Sequence, residues 1–178
     1  MEERGRIVEG KNGRKIVLIP DIIFKGRRDI PWKEVEAYLK RYTGLQTKVL
    51  ETGDVVHIAS DFHDEYAGSN YTAKLKGTAA KAKANAVQGL LKIIEAASQR
   101  RYQENLSEKH KDNAKYGWYR YDSYFALPVL DERGRIEWYN QFRGELVVRI
   151  SADGELYLYD MINIKKETST PPEQMPCG

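Results

Sequence analysis

The chain has one cysteine in 178 residues, Cys177, close to its C-terminal end. A single thiol excludes an internal disulfide framework and any metal site built from several cysteines of one chain. No run approaches the roughly 20 apolar residues of a membrane span. Met1-Glu2-Glu3-Arg4-Gly5 lacks the apolar stretch of a signal peptide. A cytoplasmic setting without a membrane partner is therefore expected. Histidine is scarce. His57, His63 and His110 are too far apart to form a local metal motif. The Gly-rich phosphate loop, His-Glu-x-x-His and the nucleophile elbow are all missing. Local motifs thus offer neither a metal nor an organic cofactor, and a metal site assembled from distant residues stays open. The net charge is only +3, so any nucleic-acid contact must come from a local patch.

What the chain does have is tyrosine, arginine and a long alternation of apolar and polar residues. In 118–127 one set is Tyr119, Tyr121, Phe125 and Leu127, and the other is Trp118, Arg120, Asp122 and Tyr124. In 136–150 Ile136, Trp138, Phe142, Leu146, Val148 and Ile150 oppose Tyr139, Gln141, Arg143, Glu145 and Arg149. In 155–165 Leu156, Leu158, Ile162 and Ile164 oppose Tyr157, Tyr159, Asn163 and Lys165. A period of two sustained this far predicts three antiparallel strands with one packed and one solvated face. Arginines and tyrosines together on the solvated face suit phosphate and base contacts.

Upstream, Ile16-Val17-Leu18-Ile19 reads as a strand. Pro31 opens a helix carrying Trp32, Val35, Tyr38, Leu39 and Tyr42, and a hairpin turns at Thr52-Gly53-Asp54. Residues 61–70 read as a polar loop. A long helix with an alanine-rich stripe is expected from about Tyr71 to Arg100, with Lys76 and Lys83 flanking the stripe. A second, exposed helix is expected over 104–115. The fold class is thus α+β, with helices packed on a curved antiparallel sheet after an N-terminal strand-helix-hairpin. One domain is expected over 1–169, divided into 16–59, 71–115 and 118–166. A flexible tail, 170–178, follows with Pro171, Pro172 and Pro176.

The histidines have modest readings. His57 alternates with Val56 and Ile58 on an exposed sheet face. His63 lies in an acidic loop whose carboxylates can raise its pKa or attract a cation weakly. His110 lies on a surface helix and matters only if that helix reaches the sheet. Ile164-Lys165-Lys166-Glu167-Thr168-Ser169-Thr170 places charge, hydroxyl donors and a carboxylate at a strand end, where they can surround a phosphate.

Two stretches, Gly117 to Pro128 and Tyr157 to Ser169, look like uncharacterised proteins of Firmicute phages and mobile elements. The similarity extends through Gly77 to Ala86. The layout resembles the barnase, EndoU, colicin and RelE-type ribonuclease superfamily, in which helices precede a curved antiparallel sheet whose face holds RNA. The resemblance implies metal-independent RNA cleavage by attack of a ribose 2′-hydroxyl. It assigns His110, Arg120, Arg149, Lys166, Thr168 and Ser169 to the chemistry. It assigns Lys83, Arg143, Tyr157, Tyr159, Asn163 and Lys165 to substrate binding. RNA is the implied partner, with a cognate inhibitor or another mobile-element protein beside it. The runner-up is a non-catalytic nucleic-acid- or protein-binding accessory domain that uses the same face.

Overall fold

Short apolar runs at the start of the chain give an antiparallel hairpin, β1 (Arg6–Glu9) and β2 (Lys15–Leu18). The computed structural model describes residues 4–10, 12–26, 29–106 and 114–175. Pro31 caps α1 (Trp32–Leu39), which turns Val35 and Leu39 into the core. The expected second hairpin follows as β3 (Gln46–Lys48) and β4 (Val55–His57).

The middle of the chain departs from expectation. The polar stretch after Asp61 is not a loop but α2 (Phe62–Gly68), because Phe62 and Tyr66 share a buried side. The single long helix is instead α3 (Asn70–Lys74), α4 (Gly77–Ala86), a 3-10 turn over Val87–Gly89, and α5 (Leu90–Glu95). Leu75 and Lys76 are extended, and Gly77 holds a φ of +65° that favours glycine, so helical hydrogen bonding is interrupted there. The helical pattern also fails at its end, where residues 98–103 form β5 (Ser98–Gln103). An edge position on a neighbouring strand has overridden helical spacing.

The three predicted strands form as β6 (Trp118–Leu130), β7 (Ile136–Ile150) and β8 (Leu156–Thr170), paired antiparallel in sequence order. Around them the sheet grows to eight strands in the order β1-β2-β6-β7-β8-β4-β3, with β5 on the first half of the β6 edge that β2 occupies further along. The sheet is mixed, which corrects the purely antiparallel expectation: β2 runs parallel to β6, and β4 runs parallel to β8. The fold class is α+β.

Tyr121, Phe125, Phe142, Leu146, Val148, Leu158 and Met161 bury one face of the sheet against α2, α4 and α5. Phe125 and Phe142 stack with centroids 5.6 Å apart. A smaller cluster, Val8, Ile16, Leu18, Ala126 and Met175, lies on the other face at the β1–β2 end. Met175 belongs to the segment expected as a loose tail, yet it is buried, and Gln141 donates to Thr170 at 2.7 Å. Residues 176–178 lie outside the described residues. No described helix is long and apolar enough to cross a membrane.

Asp54, at the β3–β4 turn, ties that hairpin to the main sheet. It accepts from Tyr121 at 2.6 Å and from Thr52 at 2.7 Å, and Arg100 of β5 reaches both its oxygens at 2.9 Å. Burial pushes its carboxyl upward, but these donors outweigh burial and hold it below the usual carboxylate range. A depressed folded pKa contributes stability above the unfolded value of about 3.9, and that stability is lost as pH falls through the folded value. Asp54→Asn should therefore lower stability by roughly 1–3 kcal/mol at neutral pH. The gap to wild type should narrow below about pH 4, as read by denaturant melts across pH; a gap constant down to pH 2 would contradict the assignment.

Candidate functional site

The face of β6–β8 away from the helices carries most of the residues expected there, but not all. Cross-strand partners project to the same side. Arg120 pairs with Val147, Asp122 with Glu145, Tyr124 with Arg143, and Arg143 with Lys165. Trp118 pairs with Arg149, and Arg149 with Tyr157. Tyr159 and Asn163 fall at register irregularities of β8, opposite Val147–Val148 and Gly144 respectively. Asn163 holds a φ of +52° there. Gly144 has no room for a Cβ, which would stand 2.9 Å from the Met161 sulfur. These irregularities reset the alternation. Met161 turns into the core, and Ile162, expected on the apolar face, pairs with Glu145 on the polar one.

Between β5, β6 and β8 this face opens into a cavity of about 480 Å³. Leu106, Trp118, Val147, Tyr159 and Ile162 give it apolar walls, and Arg120 brings a cation. Trp118 and Tyr159 meet edge to face with centroids 5.0 Å apart. Burial and a hydrogen bond to Glu65 push the Tyr159 phenol well above its ordinary value, so it stays protonated.

The arginines form a network with two carboxylates. Asp122 receives Arg101 at 3.0 Å and Arg143 at 3.1 Å. Glu145 receives Arg101 at 2.9 Å, is hydrogen-bonded by Asn163, and lies 3.6 Å from an Arg120 terminal nitrogen. The Arg120 Nε is buried and has no hydrogen-bond partner among the described residues. Arg149 stacks over Tyr157 at 4.8 Å and stands 4.0 Å from Asp61.

Other expected residues lie elsewhere. Lys166 pairs with Phe142, which puts it on the opposite side of the sheet from Arg120 and Arg149. Ser169 shares that side and donates to Asn140 at 2.8 Å. Thr168 pairs with Gln141, six positions along β7 from Val147, or roughly 20 Å at the rise of a strand. The expected convergence of Arg120, Arg149 and Lys166 on one surface therefore does not occur. His110 lies outside the described residues. Lys83, expected to reach a substrate, is fully buried; its Nζ is 2.6 Å from both Asp160 and Thr72, under the rings of Tyr66 and Tyr71. Burial pushes the Lys83 ammonium down and the Asp160 carboxyl up, while their mutual attraction opposes both shifts.

His57 donates or accepts at Glu155, 2.9 Å away, and its ring lies 5.5 Å from that of Tyr157. His63 lies on α2, with Nδ1 3.1 Å from Glu36 and 3.2 Å from Asp64. Those three offer ligand atoms within 4.8 Å of one another, enough for a cation to be held weakly at the surface. The residue that sequence reasoning missed is Arg101. It falls between the helix expected to about Arg100 and the one expected over 104–115, and no local pattern marks it as part of the arginine–carboxylate network.

Comparison with protein-family models, with curated proteins and with solved structures found no match. The site must be read from its own geometry.

Asp160 lines the cavity from the β8 side while Lys83 holds it from the core. Removing one member of such a pair leaves the other charge buried. Lys83→Met should destabilise by roughly 3–5 kcal/mol, whereas Lys83→Met with Asp160→Leu should recover most of that loss. Chemical denaturation of both variants tests the pair, and equal losses in the single and double variants would refute it.

Proposed function

We propose that the polar face of β6–β8 binds single-stranded RNA, with one base in the Trp118–Tyr159–Ile162 cavity and the neighbouring phosphate on Arg120. The observation that carries this reading is an apolar, aromatic-walled cavity with an incompletely paired arginine at its floor. The volume suits a single ring system. Aromatic walls bind bases through stacking, largely without regard to sequence, and a guanidinium pairs with a phosphate through two parallel hydrogen bonds.

A second reading, RNA cleavage, is favoured by one feature. Glu145 is a carboxylate between two arginines beside the cavity. Such a group can take the proton of a ribose 2′-hydroxyl as that oxygen bonds to phosphorus and the P–O5′ bond breaks, with arginine stabilising charge on the phosphorane oxygens and water protonating the departing 5′-oxygen. In this reading Glu145 replaces His110 as the first candidate for base, and Arg120 replaces the Lys166–Thr168–Ser169 cradle, with Arg101 holding Glu145 in place.

Fluorescence anisotropy with labelled oligouridine, in chelator, separates the readings. The binding reading expects affinity that falls steeply with salt. It also expects Arg120→Ala to weaken binding by about tenfold, the scale of one charged hydrogen bond. The cleavage reading expects product on a gel and its loss in Glu145→Gln. Absence of binding at low salt would end both readings, and intact RNA at high protein concentration would end the second.

A further inference from the structure

The register of the sheet lines up one row of side chains across six strands. Gln103 pairs with Trp118, Trp118 with Arg149, Arg149 with Tyr157, Tyr157 with His57, and His57 with Gln46. Each pair is directly cross-strand, so all six project from the polar face. The row starts at the cavity wall, because both Gln103 and Trp118 line it. From Trp118 to His57 it covers three inter-strand steps, roughly 14 Å at about 4.8 Å each.

The row alternates in chemistry. Trp118 is an aromatic wall, Arg149 is a cation stacked on Tyr157, and Tyr157 faces the imidazole of His57. The acids that meet this row are exposed. Asp61 is 4.0 Å from Arg149 with most of its side chain in water, and Glu155, bonded to His57, is more than half exposed. In both pairs the carboxylate is the exposed member while Arg149 and His57 are largely covered, so a phosphate reaching the row replaces a carboxylate that returns readily to water. The row is therefore an aromatic and cationic track whose present partners are exchangeable.

We infer that a single-stranded RNA leaves the cavity across the strands, along Trp118–Arg149–Tyr157–His57, rather than lengthwise along β8 toward Lys165. This rests on the RNA-binding reading and adds its direction, its second phosphate contact at Arg149 and its second stacking position at Tyr157 and His57.

The test compares a uridine dinucleotide with an octanucleotide by anisotropy, using the full chain. The wild type should bind the longer strand about tenfold or more tightly, the gain of one added stacked base. His57→Ala with Tyr157→Ala should keep the dinucleotide affinity and lose that gain, while Tyr157→Phe keeps both. Because truncation at the sheet can disturb folding, His57→Gln with Tyr157→Leu, which preserves bulk, should behave like the double alanine variant. The proposal is overturned if the gain survives in both double variants, or if Lys165→Ala removes it instead. If the wild type binds both lengths equally, the track fails while the cavity reading stands; if it binds neither, the RNA reading itself fails.

Discussion

The core face of β6, β7 and β8 governs everything on the opposite face. Side chains alternate along a strand, so fixing Tyr121, Phe125, Phe142 and Leu146 against the helices fixes Arg120, Asp122, Arg143 and Glu145 on the outside. A slip of one residue would bury two arginines and expose two phenylalanines. Alanines at 80, 82, 84 and 86 make α4 narrow enough to lie close to the sheet, and Lys83 then meets Asp160 inside the protein. Such a pair costs desolvation and adds little net stability, but it admits only one arrangement of α4 over the β8 irregularity. Hydrophobic burial thus supplies the driving force, and the buried pair restricts how it is satisfied.

Much of this was legible in the sequence because period-two alternation is a local signal. The three long strands, their order, the turns between them and most of their core faces follow from it, although Ile136 and Trp138, expected to pack, are exposed and Ile162 turns to the polar face. Residues whose placement depends on distant partners were not legible. β5 was not legible, its start reading as the end of a helix, because Ser98–Gln103 has no alternation of its own and is a strand only through pairing with β6. The parallel pairings of β2 with β6 and β4 with β8 join segments far apart in the chain, and no local pattern encodes them. α2 was hidden by its polar residues, although Phe62 and Tyr66 stand four apart, the spacing of one helical face.

The site was legible to the same limited extent. Arg120, Arg149 and Tyr157 were placed on the right face by plain alternation, and Tyr159 and Asn163 stay there although each sits at an irregularity of β8. Those two irregularities together restore the parity, so Lys166 lies with Leu158 on the apolar side as alternation alone gives, while a third at Glu167 moves Ser169 there too. Lys83 illustrates a different failure. A lysine beside an apolar stripe reads as surface, and only a carboxylate buried on another element can draw it inward.

The arginine network also separates framework from function by the exposure of the carboxylate partner. Asp122 is buried, so it cannot return to water when a ligand arrives, and the arginines bound to it, Arg101 and Arg143, are held as structure. Asp61 is solvated, and its separation from Arg149 is at the limit of an ion pair. Glu145 already satisfies Arg101 and Asn163, and its contact with Arg120 is the longest of the three. Under the RNA-binding proposal, a phosphate would compete for Arg120 and Arg149 rather than for Arg101 and Arg143. Arg120 lines the cavity and Arg149 belongs to the cross-strand row, so in that proposal the two cations lie beside the aromatic side chains Trp118, Tyr157 and Tyr159. Anion contact at two such points, as proposed, needs only a local arrangement of charge and is compatible with the small net charge of the whole chain.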